Sequence, residues 1–303
     1  VSNLASITGA ADNQSNSVTI SSAAINTNLP ATGLADGTYK VYAADASGIQ
    51  SSASSNSVTI LIDYALDFDG TNDSVSANGV ATELASSNNL PLSVSAWVYP
   101  DDGTKEQFVF GFYKRTNSFA NGPSVWFGGT DYKFAYFNDS LTTVHSSNTY
   151  AINNWHHVVL TIGSDRDGVL YVNGSPALTF SGAYNSGGLD MFSIGVDYDS
   201  SGGSAGSPGQ YFDGKIDEVA VWNAALSAAD VSALYNSGNG LKASADSGNY
   251  DNSGDLIGYW QFNEGTGSTL TDSTSNSNNG TLTNMDSSSD WVTSGSETKP
   301  SFQ

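Results

Sequence analysis

The chain has 303 residues, 30 acidic against 9 basic side chains, a net charge of −21, and no cysteine. That charge repels phosphate and excludes nucleic acid and anionic membrane as partners, and the missing cysteines exclude a disulfide framework and thiolate metal sites. A hydrophobic share of 38% with 11% aromatics excludes a disordered chain, and no apolar run reaches the roughly 18 residues that a membrane span needs.

Thirty-two glycines and short apolar runs point to a turn-dense β fold. Two readings of the charge stay open: a solvated acidic surface, or oxygen clusters that bind Ca²⁺ near turn glycines. The start at Val1, without a leader-like segment, leads to the expectation of a monomeric module within a longer chain.

Residues 1–63 contain no Trp, Phe, Met or His. Two runs alternate as strands, Thr38–Ala43 and Ser57–Ile62, with a polar loop between them. The pentapeptide NSVTI occurs at Asn16–Ile20 and again at Asn56–Ile60. The stretch from LADGTYKVYAADASG to SSASSNSVTI resembles the last strands of bacterial immunoglobulin-like repeats, which are strung in tandem in large surface adhesins. The resemblance implies an Ig-like β module over 1–63, partial or reduced beside the ~100 residues of a seven-strand sandwich. TILIDYALDF then alternates without a Pro/Gly linker, which predicts a short, stiff junction.

From Tyr64 the texture becomes aromatic strands and Gly/Asn turns. In YALDFDGTNDSV, Tyr64, Leu66 and Phe68 alternate with Ala65, Asp67 and Asp69 before a turn at Gly70 and Asn72. In LSVSAWVYP, Leu92, Val94, Ala96 and Val98 alternate with Ser93, Ser95, Trp97 and Tyr99. WHHVVLTIG and GVLYVNG read as strands, and Asn173-Gly174 as a hairpin turn. LSAADVSALYNSG is the one convincing helix: Ser227 caps it, Asp230 follows, Val231, Leu234 and Tyr235 share a face, and Gly238 stops it. DLIGYWQFNEG is a late strand, and residues 293–303 read as a tail or linker.

ALDFDGTNDSV, LSVSAWVYP, NNWHHVVLTIG, GVLYVNGSPA, YFDGKIDEVAVWNAALSAADVSALYNSG and LIGYWQFNEGTGSTLTDSTSNSNNGTL, in this order, resemble the laminin-G-like, concanavalin A-like jelly roll of bacterial secreted proteins. The resemblance implies an all-β sandwich of two antiparallel sheets over residues 64–292, with neighbouring chain ends. GYWQFNEG comes last here and first in many relatives, as if the same closing strand were supplied from the other end.

The resemblance also implies metal among acidic turns near FDG and IDEV. Asp67, Asp69 and Asp73 lie within seven residues. Strict alternation of KIDEVAVW places Ile216, Glu218, Ala220 and Trp222 on one face and Asp217, Val219 and Val221 on the other, with Lys215 the sole nearby cation. A carboxylate among apolar neighbours needs a partner, so Asp67, Asp69, Asp73, Asp217 and Glu218 are the expected Ca²⁺ ligands. The competing reading is that Asp67 and Asp69 cap a turn. No EF-hand is present: Asn78, Pro176 and Pro208 stand where the loops starting at Asp67, Asp165 and Asp197 would need Glu.

The fold also houses enzymes. The laminarinase-type Glu-x-Asp-x-x-Glu is absent, since none of the five Glu begins it. His156 and His157 fall on opposite faces of a strand and read as packing residues, so no catalytic residue and no enzyme is expected. Aromatics with hydrogen-bonding neighbours point to a sugar site, built from Tyr113, Arg115, Trp126, Asp131, Tyr132, Tyr198 and Asp199. The expected function is a Ca²⁺-stabilised, carbohydrate-binding module of a bacterial secreted or surface adhesin, outside the cell, recognising a glycan or other cell-surface ligand. The alternative is a structural spacer or peptide-binding domain of the same adhesin; a polysaccharide-degrading enzyme ranks third.

Overall fold

The structure is a computed structural model that describes residues 17–19, 34, 37–45, 47–60, 62–86, 89–115, 120–129, 131–138, 141–183, 188–198 and 207–293. The chain divides into two compact units, Val1–Ile62 and Asp63–Gln303. In the first unit, β1 (Gly37–Lys40) and β2 (Ser57–Ile60) pair antiparallel, with Thr38 opposite Thr59. Most of the expected Ig-like module, and the tail beyond Thr293, lie outside the described residues.

The second unit is a two-sheet sandwich. Its strands are β3 (Tyr64–Asp69), β4 (Ser74–Ser76), β5 (Leu92–Pro100), β6 (Glu106–Lys114), β7 (Ala120–Gly128), β8 (Lys133–Asn138), β9 (Leu141–His145), β10 (His156–Ile162), β11 (Gly168–Val172), β12 (Ser175–Phe180), β13 (Met191–Ile194), β14 (Asp213–Trp222), β15 (Leu256–Trp260), β16 (Thr269–Leu270), β17 (Gly280–Thr283) and β18 (Trp291–Thr293). Among the described residues, the first sheet runs β12-β11-β10-β5-β14-β3-β18, and the second β16-β17-β4-β13-β6-β7-β8-β9. β15 also pairs with β14, so β3 serves one half of that strand and β15 the other. β18 lies against β3, with Trp291 opposite Leu66, which brings the ends of the sandwich together as expected.

Alternation builds the core. Leu92, Val94, Ala96 and Val98 of β5 and Val158, Leu160 and Ile162 of β10 point between the sheets. Ser93, Ser95, Trp97 and His157 take the opposite side, where β5 and β10 pair His157 with Trp97. Asn173 and Gly174 form the β11–β12 turn, both at positive φ, 52° and 73°, as the tight hairpin requires.

The outer side of the first sheet is covered by a second layer. Helix α2 (Ala228–Tyr235) begins with the expected capping box of Ser227 and Asp230 and ends at Asn236, in the left-handed conformation, ahead of the expected stop at Gly238. Ser93 Oγ anchors its approach by donating to the Ala224 carbonyl at 2.7 Å and accepting from the Leu226 N–H at 2.9 Å. Val231 and Leu234 pack there with Val159, Ala220, Trp222 and Tyr259. The helix α1 (Asn78–Ser86) was not expected: it buries Val80, Ala81 and Leu84.

The strict alternation expected for β14 is broken by a bulge. Asp217 lies opposite Trp97 and Ala220 opposite Ser95, so the register shifts between them, with Glu218 at φ 49°. Ile216, Val219 and Val221 all reach the core between the sheets, while Ala220 and Trp222 pack in the outer layer. Each face therefore keeps its apolar set, and the carboxylates of Asp217 and Glu218 do not fall on opposite faces.

Candidate functional site

Two places gather polar and aromatic groups. One is the outer face of the second sheet. On β6, bulges between Phe108 and Phe110 and between Gly111 and Tyr113 interrupt the alternation. Phe110 and Phe112 go to the main core, whereas Phe108 and Tyr113 form a separate cluster with Met191. Trp126 and Tyr198, both partly exposed, pack against that cluster. Phe108 stacks on Tyr113 at 5.8 Å between centroids, Trp126 meets Phe108 edge-on at 5.5 Å, and Tyr198 meets Tyr113 edge-on at 6.0 Å. Gly111 is required here, since a Cβ would lie 2.7 Å from the Phe108 ring and 2.5 Å from Ser124 Cβ.

Polar groups fix this arrangement. The Tyr113 hydroxyl donates to Asp197 Oδ1 at 2.8 Å, and Trp126 Nε1 donates to Ser124 Oγ at 2.9 Å. Burial, then the Asp197 charge, hold the Tyr113 hydroxyl well above its usual range. Past Trp126, the cross-strand row continues through Ala135 to His145. His145 Nδ1 lies 3.8 Å from Asp131 Oδ2, which also pairs with Lys133 at 3.5 Å.

Of the expected ligand residues, the structure thus joins Tyr113, Trp126 and Tyr198. Tyr113, only 1% exposed, supports the face from beneath. Arg115 is exposed just beyond β6, where its backbone N–H donates to Asp190 Oδ1 at 2.8 Å. Asp131 stands at the far end beside His145. Tyr132 is not in the cluster: its ring lies over Gly103. Asp199 falls outside the described residues. Sequence reasoning missed Phe108, because uninterrupted alternation groups it with Phe110 and Phe112; Gly111 was the one local sign of a bulge.

The five expected metal ligands are not gathered into one centre. Asp69 Oδ1 accepts from the Thr71 N–H at 2.8 Å, and Asp73 Oδ2 accepts from the Asp69 N–H at 3.0 Å, so both carboxylates close the turn. Asp67 lies opposite Lys215 across β3 and β14. Burial raises Asp67 above its usual range, opposed by Lys215, and raises Asp73 to about 6. Asp217 Oδ1 accepts from the Glu218 N–H at 2.8 Å. Among the described residues, no group of three or more His, Asp or Glu could hold a metal ion. The arrangement does not fit a Ca²⁺ centre shared by these five.

The second place is a small cavity beneath α2. Ser95, Trp97, His157, Glu218, Trp222 and Tyr259 line it, with aliphatic neighbours from α2 and the chain after it. Ser95 Oγ and His157 Nε2 are hydrogen-bonded at 2.8 Å. The Tyr259 hydroxyl donates to Glu218 Oε2. Burial pushes Glu218 up to about 8, against the Tyr259 hydrogen bond, and pushes His157 down to about 3. His156, on the other face, bonds through Nε2 to the Ala151 carbonyl at 2.8 Å and packs on Phe134 and Tyr150. Both histidines are buried and lie on opposite faces of β10, as its alternation predicts.

Residues 69–232 match the family model for the concanavalin A-like lectin/glucanases superfamily, of the laminin-G type. The chain belongs to that superfamily. Its jelly-roll sandwich is similar to a Bacteroides ovatus protein proposed to bind carbohydrate, at 17% identity and a TM-score of 0.50, covering 77% of this chain and 62% of that one. This laminin-G-like chain thus spans less than two thirds of that relative. It is also similar to a heptameric SAP-like pentraxin from Limulus polyphemus, at 18% identity and a TM-score of 0.43, covering 59% of this chain and 84% of that one. A Trypanosoma rangeli sialidase in complex with sialic acid follows at 20% identity and a TM-score of 0.38, covering 48% and 23%. No curated protein matches the laminin-G-like chain. No helix among its described residues is long and apolar enough to cross a membrane.

Proposed function

We propose that this laminin-G-like domain is a non-catalytic carbohydrate-binding module of a bacterial secreted or surface adhesin, and that it binds glycan on the outer face of its second sheet. The observation that carries this reading is the pair of partly exposed rings, Trp126 and Tyr198, set edge-on against a fixed floor of Phe108 and Tyr113. Sugar rings bury C–H faces on such aromatics, and a few placed polar groups orient them. Arg115, His145 and the half-exposed Asp131 add hydrogen-bonding side chains on this sheet and its flanking turns. The floor is tied by its own hydrogen bonds, so little ordering is needed on binding, which favours affinity.

Non-catalysis rests on how the buried acids are used. Asp197 is held by the Tyr113 hydroxyl. Glu218 sits beneath α2 and is bonded to Tyr259. A glycan array followed by calorimetry on the hits tests the reading. Binding that Trp126→Ala abolishes, with no change in glycan length on long incubation, supports it. Cleavage of a bound glycan, or binding indifferent to both Trp126→Ala and Tyr198→Ala, overturns it.

A further inference from the structure

Glu218 and His157, 5% and 2% exposed, both line the cavity beneath α2, and each carries one polar atom that finds no hydrogen-bond partner among the described residues. These atoms are Glu218 Oε1 and His157 Nδ1. Their other atoms are engaged: His157 Nε2 with Ser95 Oγ, and Glu218 Oε2 with the Tyr259 hydroxyl. Leaving a buried polar atom unsatisfied costs about 1–3 kcal/mol. Beside the bulge, Glu218 stays on the outer side of β14 with Ala220 and Trp222 and lines the cavity with them.

The cavity has a volume of about 10 Å³, room for one water molecule. We propose that it is a structural water site, in which a single water bridges Glu218 Oε1 and His157 Nδ1. Water both donates and accepts, so it serves either imidazole tautomer. The bridge completes a hydrogen-bonded chain, Ser95–His157–water–Glu218–Tyr259, across β5, β10, β14 and β15. Leu234 of α2, with Leu241 and Ala243 after it, also lines the cavity.

A high-resolution crystal structure of the full chain tests this directly. The expected result is one density peak within hydrogen-bond distance of both Glu218 Oε1 and His157 Nδ1. A dry cavity, a direct Glu218–His157 hydrogen bond, or density for a larger group overturns the proposal. Magnetic relaxation dispersion of water gives an independent count in solution. Glu218→Gln keeps a bonding atom at the site and should keep the full number of long-lived waters. Glu218→Met removes it and should lose one. An unchanged count in Glu218→Met overturns the proposal; if that variant does not fold, the wild-type density decides alone.

Discussion

Tyr113 and Asp197 lie 84 positions apart in sequence and meet through a 2.8 Å hydrogen bond, with both side chains buried. The contact ties β6 to the chain that carries Tyr198, so it sets the angle between the buried floor and the exposed ring. Tyr113→Phe removes one hydrogen bond from the buried Asp197 carboxylate. The expected loss is about 1–3 kcal/mol of stability by urea denaturation. A variant as stable as the parent would show that Asp197 is satisfied without Tyr113.

Trp126 and Trp260 should separate cleanly. Trp260 is fully buried between the sheets, and Trp260→Ala should cost roughly 3–5 kcal/mol in stability. Trp126 is partly exposed on the proposed binding face. Its truncation should lower glycan affinity at least about tenfold, which is ~1.4 kcal/mol of binding free energy, and shift the melting point much less than Trp260→Ala. Calorimetry and thermal melts on the same preparations give both readings.

Two buried groups shift the pH dependence of stability in opposite directions. Burial raises Glu218 from 4.5 to about 8, so its contribution is complete below 4.5 and is lost as pH rises to about 8. Burial lowers His157 from 6.5 to about 3, so its contribution is complete above 6.5 and is lost as pH falls to about 3. The two slopes oppose each other between 4.5 and 6.5, and each acts without the other outside that window. Relative to wild type, Glu218→Gln should lose less stability between pH 6.5 and 8. Parallel urea titration curves for the two proteins across that interval would refute this.

Asp69 closes the turn after β3 through the Thr71 and Asn72 N–H groups at 2.8 and 3.3 Å. Asp69→Ala should therefore cost about 0.5–1.5 kcal/mol, equally in calcium and in EDTA. A cost that appears only with calcium would instead place an ion among these carboxylates.

Alternation made much of the sandwich legible. β5 and β10 sort their residues between core and outer layer as a period of two dictates, and Ser227 with Asp230 marks the start of α2. The bulges were not legible. At Phe108 and at Glu218, one extra backbone residue changes the face, and its cause lies in cross-strand partners far away in sequence. Trp126 and Tyr198 were legible as site candidates because aromatics near Gly-rich loops are conspicuous. Phe108, which joins them to Tyr113, was not. Nor were the expected calcium ligands separable in sequence into turn caps and buried groups, since it is the fold that gives Asp69 its turn N–H partners and buries Glu218.

The bulge in β14 has a consequence for length. Without Glu218 the strand would read Ile216, Asp217, Val219, Ala220, Val221, Trp222. That shortened series alternates without interruption: Ile216, Val219 and Val221 inward, Asp217, Ala220 and Trp222 outward. Neither the core nor the strand pairing needs the residue. Glu218 is a supernumerary position, kept for what its carboxyl group and the local bend do beneath α2, and a chain with that single codon deleted should still assemble both sheets while losing the polar centre of its outer layer.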